Sequence, residues 1–253
     1  MIKSFLDPRF LYLLLLWTMV PAPAAAQGLA EGLQALSGGD ASWSARIIQM
    51  LGLLTVLSLA PGILIMVTCF TRIVVVLSLL RTALGLNQTP PNMVLISLAL
   101  FLTAYVMQPA FDQAWNEGLQ PLLEEEIAEE EAIKRMGAPF FSFMLANVRD
   151  KDLQLFIDLA PETVERPEAR EEVGWRVLIP AFMLSELRRA FEIGFLIFLP
   201  FLVIDIVVAS ILMSMGMMML PPVMISLPFK IIFFVLIDGW YLLAGSLARS
   251  FGG

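Results

Sequence analysis

The sequence predicts an all-α, membrane-associated protein: long kinked helical hairpins with a small extracytoplasmic helical insert between them. Three observations carry that expectation. Of the 253 residues, 58% are hydrophobic and only 15% charged, against about 25% charged in an ordinary soluble domain, and the mean hydropathy is +0.81. Several apolar runs reach the ~17 to 25 residues that a bilayer-crossing helix needs. The acidity sits in one place: sixteen acids and seven bases lie between Asp112 and Arg176, a net −9, while the rest of the chain is +2, giving the overall −7.

Composition also removes most chemistry. The chain has no histidine, so imidazole cannot serve as metal ligand, general base or triad member. Cys69 is the single cysteine, which rules out an intrachain disulfide, a CxxC pair or a thiolate cluster; between Thr68 and Phe70 in an apolar run it reads as an inert packing thiol. There is no P-loop, no GxGxxG after a strand and no basic patch with interleaved aromatics. The glutamates at 124–126 and 129–131 lack EF-hand spacing and read as a solvated face. The expectation is a protein that is not an enzyme, needs no cofactor or metal and binds no nucleic acid.

Residues 1–26 read as a secretory signal peptide, with Lys3 and Arg9 near the start, an apolar stretch from Phe10 to Val20, and Ala24-Ala25-Ala26 before Gln27. Cleavage is expected between Ala26 and Gln27. Asp7 weakens the positive n-region, and an uncleaved anchor helix is the other reading. Residues 27–46 then form an extracytoplasmic N-terminal segment, 47–111 a first helical hairpin, 112–178 the acidic insert, and 179–253 a second hairpin.

Four apolar stretches are candidate spans: Ile47 to Phe70, Met93 to Pro109, Phe191 to Leu220 and Val223 to Leu247. An outside N-terminus puts the turn after the first one in the cytoplasm, where Arg72 and Arg81 without an acid fit the positive-inside tendency. The insert and the C-terminus then fall outside. Two segments are too long for simple spans. Ile47 to Leu86, read as one helix kinked at Pro61-Gly62, and Pro180 to Met219 each cover forty residues, or ~60 Å at 1.5 Å per residue, twice the ~30 Å hydrocarbon core. Much of that length is expected to pack on protein.

Within the insert, Leu119 to Gly137 reads as a solvated amphipathic helix and Pro139 as the first turn of the next one, with Phe140, Phe141, Met144, Leu145 and Val148 at helical spacing. Leu153, Phe156, Ile157 and Ala160 follow Asp152, a candidate N-cap. Pro161 to Gly174 reads as a loop.

Charges interrupt the apolar helices. Glu186, Arg188, Arg189 and Glu192 form a mixed cluster, Asp205 lies deeper, and Lys230 and Asp238 break the last run. An ionised group at bilayer centre costs at least ~2.5 to 3.5 kcal/mol, so each needs a partner or water. Gly216 to Pro222 reads as the tight turn of a hairpin. With Met219 at its apex, Asp205 and Lys230 fall within about one helical turn of the same height, which suggests a buried ion pair, within the hairpin or between copies. Separate water or carbonyl contacts and a proton relay are the alternatives. Six of the fifteen methionines lie between Met213 and Met224. Methionine repacks easily, so Met217, Met218 and Met219 read either as core filling or as a soft apolar gasket around an axis.

The ordered motifs closely resemble one family, from about Ile47 to Phe251. They run Phe70-Thr71-Arg72-Ile73, Leu80-Arg81 with Ala83-Leu84-Gly85, Pro90-Pro91-Asn92, Pro180-Ala181-Phe182 with Ser185-Glu186-Leu187, Ala190 to Phe195, Pro200-Phe201 with Ile204-Asp205, Gly216 to Met219 with Pro221-Pro222, Leu227 to Lys230, and Asp238-Gly239-Trp240. In this order they are similar to the FliP proteins of the bacterial flagellar export gate, whose virulence relatives form the SctR branch. The leader and Pro221-Pro222 look like the flagellar branch; departures are confined to Gln27–Arg46 and Pro161–Gly174.

The resemblance implies a multi-pass inner-membrane subunit of the flagellar basal body. It implies a homo-oligomer, pentameric in the family, that assembles with FliQ and FliR subunits, works with FlhA and FlhB, touches membrane lipid and conducts unfolded flagellar proteins while energy is supplied elsewhere. It assigns the gasket to Met217, Met218 and Met219. The charged cluster Glu186, Arg188, Arg189 and Glu192 is then expected to hold subunits in register. The rival is a small-solute secondary transporter with Asp205 as coupling site, which an inverted repeat would favour and which the two dissimilar halves do not.

Overall fold

The computed structural model describes residues 43–86, 88–161, 170–217 and 219–251. The expected cleavage site at Ala26 and Gln27, and Met218, lie outside them. The chain divides into two compact units, Met1–Leu59 and Ala60–Gly253. All secondary structure among the described residues is helical, as the composition predicts.

Helix α1 covers Trp43–Val67. The helix continues through Pro61-Gly62, where the kink is expected, and breaks at Thr68-Cys69. The physical reason is local. The Thr68 hydroxyl accepts the Phe70 backbone N–H at 3.5 Å and itself reaches the Ile65 carbonyl at 3.4 Å, and such side-chain bonding competes with the helical ladder. Helix α2, Phe70–Ala83, then starts afresh.

A turn with a cis Thr89-Pro90 peptide returns the chain as α3, Asn92–Leu123, which holds a π-helical stretch at Trp115–Leu119. At that stretch Gly118 is buried against Met136, and a Cβ there would stand 2.4 Å from Met136 Cγ and 2.9 Å from its backbone N. Only glycine permits the approach. The helix thus runs through position 112, so the acidic segment begins in mid-helix and the expected Leu119–Gly137 helix is split by a turn at 124–128, where Glu125 takes φ 59°.

Helix α4, Glu129–Asn147, opens with Glu129, Glu130 and Glu131, whose charges suit the positive end of a helix. Pro139 lies buried in its interior rather than at a start, one lost hydrogen bond offset by packing. Helix α5, Asp150–Asp158, has Arg149 at its N-cap, with Asp152 in its first turn.

Helix α6 is forty residues long, Trp175–Ser214, and passes through Pro180 and Pro200. Helix α7, Pro222–Leu236, returns along it, and α8, Gly239–Arg249, leaves at 63°. Both α3 and α6 are long and apolar enough to cross a membrane, and the bent pair α7 and α8 qualifies as a broken span.

Helix α2 is the centre. Cys69, Ile73, Val76, Leu77 and Leu80 are buried among Leu95, Ala99 and Met107 of α3, Ala190 and Phe201 of α6, Phe234 of α7, and Leu243 and Leu247 of α8. Its main neighbour is α6, where a Cβ on Gly194 would stand 2.2 Å from Leu79. A second core joins Met144 of α4, Val148 just after it and Leu153 of α5 to Leu178, Ala181 and Phe182 of α6. The insert is therefore docked on the N-terminal part of the long helix.

Candidate functional site: buried charges and a methionine turn

Two charged sites lie in the apolar body. In the first, Arg72 of α2 and Glu186 of α6 are 1% and 0% exposed. The guanidinium grips the carboxylate in two places, Nε–H donating to Oε2 at 2.8 Å and Nη2–H to Oε1. Its third nitrogen donates to the Ser250 carbonyl at 3.2 Å and hydroxyl at 3.0 Å, and the Phe251 ring covers it at 3.7 Å. Every face of the cation is used, which is what makes its burial tolerable.

The second site joins α2, α6 and α7. Lys230 Nζ donates to Asp205 Oδ2 at 2.6 Å and to the Ala83 carbonyl at 3.1 Å, while the Ser226 hydroxyl donates to Asp205 Oδ1. Lys230 is 4% exposed and Asp205 27%, so the lysine depends more on the pair than the aspartate does. The two residues the sequence placed at one height thus meet within a single chain.

The other expected pairings separate. Glu186 is enclosed with Arg72 and not presented to a neighbouring copy. Arg188 and Glu192 pair on the exposed face of α6 at 2.9 Å, Arg189 has no ion pair among the described residues, and Asp238 is exposed at the α7–α8 break in a left-handed conformation, φ 51°. From sequence, Arg72 fits the positive-inside tendency and belongs to the Phe70–Ile73 motif. Its position inside an apolar helix was the signal that it, too, needed a partner. Ser226, Ser185 and Ser250 carried no comparable signal.

The turn after α6 closes as expected. Gly216 takes φ 73°, the Met217 N–H bonds the Leu212 carbonyl at 3.0 Å and the Gly216 N–H the Met213 carbonyl at 3.1 Å, a glycine stop that ends the helix. Around it Met213, Met215, Met217 and Met224 are exposed and Met219 is 98% exposed. None of them fills a core in this chain.

Outside the apolar body, Asp152 anchors the insert. Its carboxylate takes Arg149 Nε–H and Nη2–H at 2.8 Å each and the Ser185 hydroxyl at 2.6 Å, and Ser185 accepts the Arg149 backbone N–H at 3.1 Å. Burial alone would raise this carboxyl, but the Ser185 and Arg149 hydrogen bonds outweigh it and hold the group below the usual range. Arg170 closes the end of α4, donating to the Leu145 and Val148 carbonyls at 2.7 and 2.8 Å while pairing with Asp150, a cation on orphan carbonyls. Among the described residues no cluster of acids and thiols could hold a metal.

These features define a class: a multi-pass helical membrane protein whose buried charges fasten helices together and whose long helices expose many large apolar side chains. Residues 53–247 match the FliP family. The chain is 58% identical to the flagellar biosynthetic protein FliP of Agrobacterium fabrum over 96% of this chain and 99% of that one. It is 62% identical to the protein of that name from Rhizobium meliloti over 85% and 87%, and 52% identical to the one from Bacillus subtilis over 87% and 99%. The chain belongs to the FliP family. Membership makes it a core, non-enzymatic subunit of an oligomeric flagellar export gate, resident in the bacterial inner membrane and basal body.

Proposed function

We propose that several copies of this chain, five by family resemblance, assemble with FliQ and FliR subunits into a ring that passes unfolded flagellar proteins delivered through FlhA and FlhB. The observation that carries the reading is the methionine turn. A rigid hairpin, fastened by Asp205 and Lys230, ends in a glycine turn that holds Met217 and Met219 away from their own chain. Flexible, polarizable side chains at such a tip can close on one another and yield to a passing polypeptide. Met218 shares the role by its place in the motif.

Replacing Met217, Met218 and Met219 by alanine is expected to raise ion leakage across the membrane while export continues; unchanged conductance sinks the gasket. Arg188, Arg189, Glu192 and Asp238 hold neighbouring subunits in register in this reading, since all four lie at least partly on the surface, outside the two buried pairs. Glu192→Lys is then expected to reduce recovery of the assembled ring, and intact assembly and motility count against it. The solute-transporter reading loses support, because Asp205 is engaged by Lys230 and Ser226.

A further inference from the structure

The bend between α7 and α8 opens a cavity of about 330 Å³ against α6 and α2, with Phe201, Phe234 and Leu243 on its walls and Ser246 and Arg249 at one end. Apart from Ser246 and Arg249 its lining is apolar or glycine, and Arg249, in the last turn of α8, is exposed and has no acidic partner among the described residues. The guanidinium folds back over Gly245, which lacks the side chain that would crowd it.

The height of that cation is fixed by its neighbour. Ser250 is held by Arg72, which is held by Glu186, so the end of α8 lies level with the charged stretch of α6 that also carries the exposed Arg188–Glu192 pair. Beyond this belt α6 exposes Phe195, Leu196, Leu199, Leu202 and Val203 with no charge before Asp205. One end of the cavity is at a polar belt and the other runs into an apolar zone.

We propose that this cavity holds an acyl chain of an anionic phospholipid whose phosphate is met by Arg249. Charge complementarity and size favour this occupant over a partner's helix. A helix ~10 Å across fills roughly 80 Å² of cross-section, so the cavity would take less than one turn of it, whereas an unbranched chain enters lengthwise.

The test is native mass spectrometry of the chain co-purified with its assembly partners in mild detergent, with phosphatidylglycerol or phosphatidylcholine of the same acyl composition added. Phosphatidylglycerol is expected to be retained preferentially. Arg249→Gln should lower its retention about fivefold, the worth of one basic residue near an anionic lipid, with Arg249→Lys restoring most of it and Leu242→Trp, at the rim, lowering both lipids. Equal retention of the two lipids by the unaltered protein overturns the proposal without any variant. So does retention indifferent to Arg249→Gln, or a photoreactive label on Leu242→Cys that captures a polypeptide in place of lipid; the native Cys69 is buried and does not compete for the label.

Discussion

The two ends of α6 invert the packing of a water-soluble helix. Near its start Glu186 is wholly enclosed, and further along Asp205 faces a buried lysine; at its far end Met213, Met215, Met217 and Met219 are exposed. Charges go inside because each has an internal partner to satisfy it, and the surrounding medium is too apolar to do so. The methionines at the turn, by contrast, fill no core in their own chain. The contrast teaches that the hydrophobic surface is addressed outward and that the fold is specified by polar contacts at its centre.

The strongest way to break this contrast is to leave a charge inside without its partner. Arg72→Ala strips Glu186 of its bidentate bond and releases Ser250 and Phe251 together. Removing one member of such a pair costs ~3 to 5 kcal/mol, enough to abolish accumulation of a marginally stable protein. The expected readout is loss of the protein from membranes. Replacing both residues by Leu should recover much of it, since apolar substitutes of similar volume are often tolerated. Full accumulation of Arg72→Ala would show the pair is not structural.

The Asp205–Lys230 pair gives a smaller and asymmetric effect. Asp205→Ala leaves a lysine that is 4% exposed with only the Ala83 carbonyl, whereas Lys230→Ala leaves an aspartate that is 27% exposed and still bonded to Ser226. The first should cost ~2.5 to 3.5 kcal/mol and the second less, read as protease resistance of the membrane-embedded chain. A double-mutant cycle without coupling would falsify the pair as a unit.

How far the sequence foretold this depended on the range of the interaction. Asp205 and Lys230 could be matched because a single turn fixes their heights by counting residues from Met219. The sequence offers no such count for Glu186, whose partner Arg72 is 114 positions away. Pro139 and Asp152 depart from expectation for a different reason: an isolated proline and an aspartate are strong local signals of a helix start, and here tertiary packing overrides both. The Gly216 turn was legible because φ above zero is itself a property that glycine carries.

That turn supplies the next test, on the apolar side of the contrast. Gly216→Ala keeps φ near 73° at a cost of ~1 to 2 kcal/mol, because a Cβ crowds the carbonyl in the left-handed region; the cavity around the position is open, with no atom within 4 Å. Stability should fall modestly and the methionines should be repositioned. Increased ion leakage at near-normal protein levels is the expected result, and Gly216→Asn, better tolerated at positive φ, should be milder.

The smallest effect belongs to Asp152, a charge of the insert outside the apolar body. Asp152 is held below the usual carboxylate range when folded, so it binds its proton more readily in the unfolded insert. Its stabilising contribution is therefore fully present above about pH 3.9, the ordinary aspartate value, and is lost as pH falls from there through its lower folded value. Acidifying spheroplasts through that window should loosen α5 from α6 and raise protease cutting within the insert. Asp152→Asn should start from a less stable insert and lose this part of the pH dependence. Acid sensitivity unchanged in Asp152→Asn would shift the burden to the exposed acids, such as Glu131, which the Arg135 bond also holds low and whose replacement by Gln would then be the variant that flattens the profile.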